Sequence, residues 1–192
     1  MSAILKRLRN MQVRVDESEV VVIDVGSGYI KAGFSGEDLP RVVIPTVLGE
    51  RENTNDDNST NPGETKPKDF SRTIGNEAYV SREDNHDLFF PMQRGLITDW
   101  DRMNHLLEHI FTRELGVDPR NATILMTDSP LSPKEDKHRM ATEMFETFKV
   151  KAFALQNTAA LSLFSNGTTT GLVAEAGEGV RRASPSQFEP VW

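Results

Sequence analysis

Residues 20–34 read VVVIDVGSGYIKAGF, and their reading decides the fold. The run VVVID at 20–24 is β-branched and apolar up to its last residue, which suits a strand buried on both faces. Gly26, Ser27 and Gly28 interrupt it, and residues 29–34 resume an extended pattern. Two strands joined by so short a glycine-rich stretch predict a tight hairpin. Such a turn leaves backbone N–H groups open to an anion, because no side chain stands in front of them. Ser27 adds a hydroxyl donor, and Lys31 adds an ammonium that offsets phosphate charge. Asp24, at the strand end, can hold Mg2+ through its waters, since that ion dehydrates reluctantly. Gly-Ser-Gly also closes plain hairpins, so the segment alone leaves both readings open. It is not a P-loop, because no G-x-x-x-x-G-K-[ST] occurs and the turn joins two strands.

Outward from the hairpin, residues 41–48 (RVVIPTVL) predict a third strand, with Pro45 marking an edge or an end. Residues 50–69 are rich in Asn, Asp, Thr, Pro and Lys and predict a solvated, mobile loop. Met103, Leu106, Leu107, Ile110 and Phe111 recur at one face of a helix, and Gly116 is placed to end it. Residues 122–127 (ATILMT) predict a strand. Ser132-Pro133-Lys134-Glu135 has the form of a capping box with proline at the first helical position. The helix that follows is expected to bury Met140, Met144, Phe145 and Phe148. A short strand at 152–155, a helix at 158–164 stopped by Gly167, and a strand at 171–175 complete the pattern. Three adjacent strands followed by alternating helices and strands indicate a mixed sheet flanked by helices.

A second acid-then-glycine turn, Glu175-Ala176-Gly177-Glu178-Gly179, follows that last strand. Facing the first, it would clamp one polyphosphate between two glycine turns. His105-Leu106-Leu107-Glu108-His109 matches an H-x-x-E-H zinc-hydrolase pattern. Both histidines fall on the polar face of the predicted helix, so a solvated face is the preferred reading. The 192 residues contain no cysteine, which excludes disulfides, cysteine nucleophiles and Cys-ligated metals. A net charge of −7 argues against direct nucleic-acid or polybasic membrane binding. No apolar run approaches the roughly 18–20 residues needed to span a bilayer. Residues 1–18 are expected to be a basic N-terminal extension; a transit peptide can share this composition, but the stretch is short and nearly lacks serine, so a plain extension is the preferred reading. Without a secretory signal, the sequons at Asn58, Asn121 and Asn166 carry no weight.

The stretch DVGSGYIKAGFSGEDLPRVVIPTVLG resembles the first phosphate loop and following strand of actin and the actin-related proteins. The resemblance continues through TIGNEAYVSR, FFPMQRGLITDWDRM, ILMTDSPLSPKEDKHRMATEMFETF and LSLFSNGTTTGLVAEAGEGV, covering roughly residues 19–180. It implies an actin-like ATPase (ribonuclease H-like) α/β fold, with residues 19–170 as its first half and 171–192 as the start of the second. ATP and Mg2+ are the implied ligands. By position, Asp24 matches the family's metal-associated aspartate, and Gly26, Ser27, Gly28 and Lys31 match its first phosphate segment. Glu175, Gly177, Glu178 and Gly179 fall on its second. The resemblance implies actin-family protomers or actin-binding proteins as partners and a cytoplasmic, cytoskeletal setting. The alternative is a non-catalytic subunit of a nuclear chromatin-remodelling complex.

The departures point to a divergent member. Thr158 stands at the family's water-positioning glutamine, and Gln156, two residues away, is expected on another helix face. Glu175 replaces an aspartate and is one methylene longer, and Arg94 replaces a histidine. Slow or absent hydrolysis is therefore expected. The final residues, RRASPSQFEPVW, no longer resemble the family. A truncated member, or a truncated gene product, is the expectation that follows. It would expose apolar surface on the helix at 140–148 and the strand at 171–174.

Overall fold

The computed structural model describes residues 20–53, 69–130, 132–179 and 181–187. The basic extension and most of the polar loop lie outside the described residues. The expected hairpin is present as β1 (Val20–Val25) and β2 (Tyr29–Phe34), paired antiparallel with Asp24 opposite Lys31. β3 (Val42–Pro45) continues antiparallel beyond β2, and Pro45 ends it. On the other flank, β9 (Thr123–Asp128) runs parallel to β1, and β10 (Ala152–Asn157) runs parallel to β9. The sheet order is β10-β9-β1-β2-β3, a mixed sheet.

One face of this sheet carries the core. Val21, Ile23, Ile30, Ile124 and Met126 are fully buried and alternate with half-buried or exposed residues, as a period-two pleat requires. Two helices cover that face. The first, α2 (Trp100–His109), starts under an Asp99 cap, whose carboxylate accepts from the Arg102 N–H at 3.1 Å. It widens into a π-type turn over Ile110–Glu114, and Gly116, at φ +66°, ends it. All five residues of the predicted stripe are at most 1% exposed. The second, α3 (Lys134–Thr142), also ends in a π-type turn, Glu143–Thr147. Phe111 and Phe148 meet edge to face, centroids 5.4 Å apart, where the two helices close the core. Asn104 of α2 donates to Glu143 at 2.8 Å across the same contact.

Four expectations are corrected here. Val20, Val22 and Leu125 are only half-buried, so β1 is not enclosed on both faces. Phe145 is 47% exposed and leans edge-on against Phe153, centroids 6.3 Å apart, instead of entering the core. The capping box does not form: Pro133, extended at ψ 151°, precedes the first helical residue, and no side chain caps the helix. The predicted third strand divides at Thr46 and Val47, and its end, with the start of the polar stretch, becomes β4 (Leu48–Glu52) of a different sheet.

That second sheet has the order β5-β4-β6, with β5 (Phe70–Ile74) and β6 (Asp87–Phe89) both antiparallel to β4. α1 (Asn76–Ser81) lies against it through Ala78 and Ser81. Glu50, only 7% exposed, ties the small sheet to the large body. It accepts from Arg72 of β5 at 2.9 Å and from Arg102 of α2 at 2.7 Å. Arg102 also donates to Asp99 and lies over the Phe89 ring, 3.6 Å from its centroid. Burial alone would raise the Glu50 pKa, but the two guanidinium hydrogen bonds outweigh it and hold the carboxyl below its ordinary range.

After β10, α4 (Thr158–Ser165) begins under an Asn157 cap and stops at Gly167, φ +72°. β11 (Thr170–Ala176) and β12 (Arg181–Gln187) then form a separate antiparallel hairpin. The fold is mixed α/β, with four α-helices among the described residues.

Candidate functional site

In the parallel part of the sheet, β1, β9 and β10 all end at the same edge. Ligand sites of α/β sheets form at the carboxyl ends of their strands. Here those ends present Asp24, Thr127 and Asp128, with Thr158 directly after β10. A cleft of about 550 Å³ opens above them. All ten residues singled out from the sequence line it: Asp24, Gly26, Ser27, Gly28, Lys31, Thr158, Glu175, Gly177, Glu178 and Gly179.

The first turn is pinned from several sides. Gly26 N–H closes it onto Tyr29 O at 3.1 Å. Thr46 donates its hydroxyl to Gly26 O at 2.7 Å and its N–H to Gly28 O at 2.9 Å. Ser27 Oγ accepts the Gly95 N–H at 2.9 Å. Gly95 belongs to the turn of a second small hairpin, β7 (Met92–Gln93) and β8 (Leu96–Ile97). Arg94 and Gly95 both have positive φ there, 52° and 78°, the geometry of a two-residue hairpin loop.

The second turn, after β11, comes up against the first. A β-carbon added to Gly28 would collide with the Glu178 carboxylate. One added to Gly179 would sit 2.7 Å from Ser27 Cβ and 3.3 Å from the Arg94 N. The two glycine turns and the Arg94–Gly95 turn therefore meet so closely that Gly28 and Gly179 have no space for side chains of their own.

The charge of the cleft decides what can enter. Five carboxylates line it, Asp24, Asp128, Asp136, Glu175 and Glu178, against two lysines, Lys31 and Lys137. Both lysines are already paired, Lys31 with Asp24 at 3.5 Å and Lys137 with Asp128 at 3.0 Å. Lys31 thus reaches back to the strand-end aspartate across the hairpin. A polyanion would meet net repulsion in such a cleft unless a divalent cation came with it. Among the described residues no three His, Asp or Glu gather as direct metal ligands. Carboxylates spread along a cleft instead of gathered into one cluster suit an ion that keeps its waters, as Mg2+ does. The residues present therefore fit a phosphate group with Mg2+, whose waters Asp24 and Glu175 would hold.

Thr158 is the first residue of α4 and faces the cleft. Gln156 is on β10, not on the helix as expected. The histidine pair of α2 pairs with its own surface: His105 approaches Glu108 at 3.9 Å and His109 meets Glu114 at 3.1 Å. Sequence reasoning missed Thr127, Gly95 and the Asp128–Lys137 pair. A usable signal existed for the first of these. ATILMTD, like VVVID, is an apolar run that ends in polar residues, the pattern of parallel strands that end at a site.

The fold and the cleft agree with the comparison to known families. The family model for Actin matches residues 15–186, which takes in every described element from β1 through β11 and the cleft they form. The chain belongs to the actin family.

Proposed function

We propose that the cleft binds the polyphosphate of ATP together with Mg2+. The carrying observation is the apposition of the two glycine turns above Asp24, with the Glu178 side chain against Gly28 and that of Ser27 against Gly179. In this reading the N–H groups of residues 27–28 and 177–179 donate to phosphate oxygens, and Ser27 steadies the first turn through Gly95. Asp24 and Glu175 hold the waters of the metal, whose charge offsets both the phosphates and the acidic lining. Lys31 shares itself between Asp24 and the phosphates. Residues 19–170 act as one half of the site, and β11–β12 opens the other, consistent with its being a separate hairpin. The test is calorimetric titration of ATP with and without Mg2+. Metal-dependent binding that Asp24→Ala removes supports the reading; binding indifferent to both overturns it.

Hydrolysis by this cleft is slow. In-line attack needs a held water and a stabilised terminal phosphate. Thr158 presents one short hydroxyl from the start of α4, and a misplacement of about 1 Å costs on the order of 100-fold. Phosphate release under excess ATP and Mg2+, compared with Thr158→Gln, measures this directly. A second reading, favoured by the same Thr158, is a non-catalytic actin-related subunit of a nuclear complex. In the first reading the partners are actin-family protomers or actin-binding proteins of the cytoskeleton. Co-sedimentation with filaments supports the first, and stable co-purification with a remodelling complex supports the second. No helix among the described residues is long and apolar enough to cross a membrane.

A further inference from the structure

Where the β1–β9 ladder stops, a side chain takes over from the backbone. The parallel register runs from Val20 opposite Thr123 to Ile23 opposite Met126. Just beyond that last pair, the Val25 N–H donates not to a carbonyl but to Thr127 Oγ1, at 3.3 Å. The same hydroxyl lies 2.7 Å from Asp24 Oδ1. A hydroxyl has one proton, and an ionised carboxylate can only accept. With the Val25 N–H directed at its oxygen, the Thr127 proton is committed to Asp24. The other carboxylate oxygen, Oδ2, faces Lys31 Nζ at 3.5 Å, a looser contact between two side chains that are 52% and 40% exposed.

We propose that Thr127 is the positioning residue for Asp24, fixing the plane of its carboxylate so that it holds the waters of a nucleotide-bound Mg2+. Lys31 cannot do this alone. Its long, exposed chain follows the carboxylate instead of fixing it, and exposed pairs of this kind contribute little. Thr127 sits on a buried strand between two neighbours, with Gln156 of β10 opposite it on the far side, so its own position is set by the sheet. Partners of metal-holding carboxylates act in this way, and their loss typically costs about 10- to 100-fold in metal affinity. The inference rests on the reading of the cleft as a Mg·ATP site.

The experiment is calorimetric titration of ATP at a series of Mg2+ concentrations, with Thr127→Val, Thr127→Ser and Asp24→Ala beside the natural chain. Valine keeps the shape of threonine but neither accepts from Val25 nor donates to Asp24. The expected result is a loss of apparent Mg2+ affinity of about tenfold or more in Thr127→Val, with metal-free ATP binding unchanged. Thr127→Ser, which keeps the hydroxyl, restores affinity to within about twofold. A merely structural threonine would lower both forms of binding together, or neither. Thr127→Val with the natural Mg2+ dependence overturns the proposal, as does a folded Thr127→Ser that fails to restore it. If Asp24→Ala removes metal-dependent binding and Thr127→Val does not, only this inference falls. If Asp24→Ala changes nothing, the reading of the cleft falls with it.

Discussion

The two glycine turns of the cleft are alike in sequence and unlike in support. The first, at 26–28, grows out of a five-stranded sheet whose inner face is buried along β1, β2 and β9, and it is held by Thr46, Gly95 and the hairpin's own bond. The second, at 177–179, tops a two-stranded hairpin whose β11 residues alternate between exposed and half-buried, with Leu172 72% exposed. Among the described residues that hairpin has no third strand and leans mainly on α4, with Gly171 against Leu163, whereas a central strand of a covered sheet shares the stability of the whole core. The cleft therefore has one rigid wall and one that opens first. A phosphate group that bridges them would order the second against the first.

Stability measurements can break that comparison most easily. Phe111→Ala, under the first wall, removes a ring that is 0% exposed and should cost about 3–5 kcal/mol in denaturant unfolding. Leu172→Ala on β11 should stay within about 0.5 kcal/mol, since exposed positions carry little. Equal losses at both sites would mean that the β11–β12 hairpin is as integral to the core as the sheet.

The glycines sharpen the contrast. At Gly26 an added β-carbon meets the Tyr29 carbonyl at 2.8 Å, and backbone cannot move aside. Gly26→Ala should therefore destabilise the protein by about 1–3 kcal/mol. At Gly28 the obstacle is the end of the Glu178 side chain, which can swing away. Gly28→Ala should leave the melting temperature nearly unchanged and weaken ATP binding, because the methyl would occupy the cradle. Thermal melts and calorimetry on the two variants separate these outcomes.

A smaller effect concerns the bridge between the sheets. The Glu50 carboxyl is held below its ordinary pKa of 4.5, so its contribution is present above that range. It is lost as pH falls through the lowered value, because the unfolded chain then binds the proton first. Melting temperature followed from pH 7 downward should show a steeper acid limb in the natural chain than in Glu50→Gln. At neutral pH the variant should lose about 1–3 kcal/mol, the worth of hydrogen bonds to a charged group. Parallel acid limbs would mean that Glu50 does not join the two sheets in solution.

What could be read in advance follows the same division. Periodicity exposed the hairpin and the α2 stripe, because there burial follows local spacing. The small sheet escaped, since Glu50, Arg51, Glu52 and Arg72 read as solvent residues; only their pairing across 22 and 52 positions makes the burial of Glu50 tolerable. Helical spacing puts Phe145 on the core face with Met140, Met144 and Phe148, but the π-type turn at Glu143–Thr147 shifts the helical register beneath it. In the cleft, both glycine turns were legible as local motifs. Their apposition and the hold of Thr127 on Asp24, 103 residues away, are products of topology and leave no local trace.

The central claim is that the two turns act as one clamp on a polyphosphate. Amide hydrogen exchange at residues 26–28 and 177–179, with and without ATP and Mg2+, tests it most directly. Without ligand, the second turn should exchange faster than the first. On addition of ATP with Mg2+, both should become protected together, with the larger gain at 177–179. Protection of one turn alone, or of neither while ATP is bound, would contradict the account.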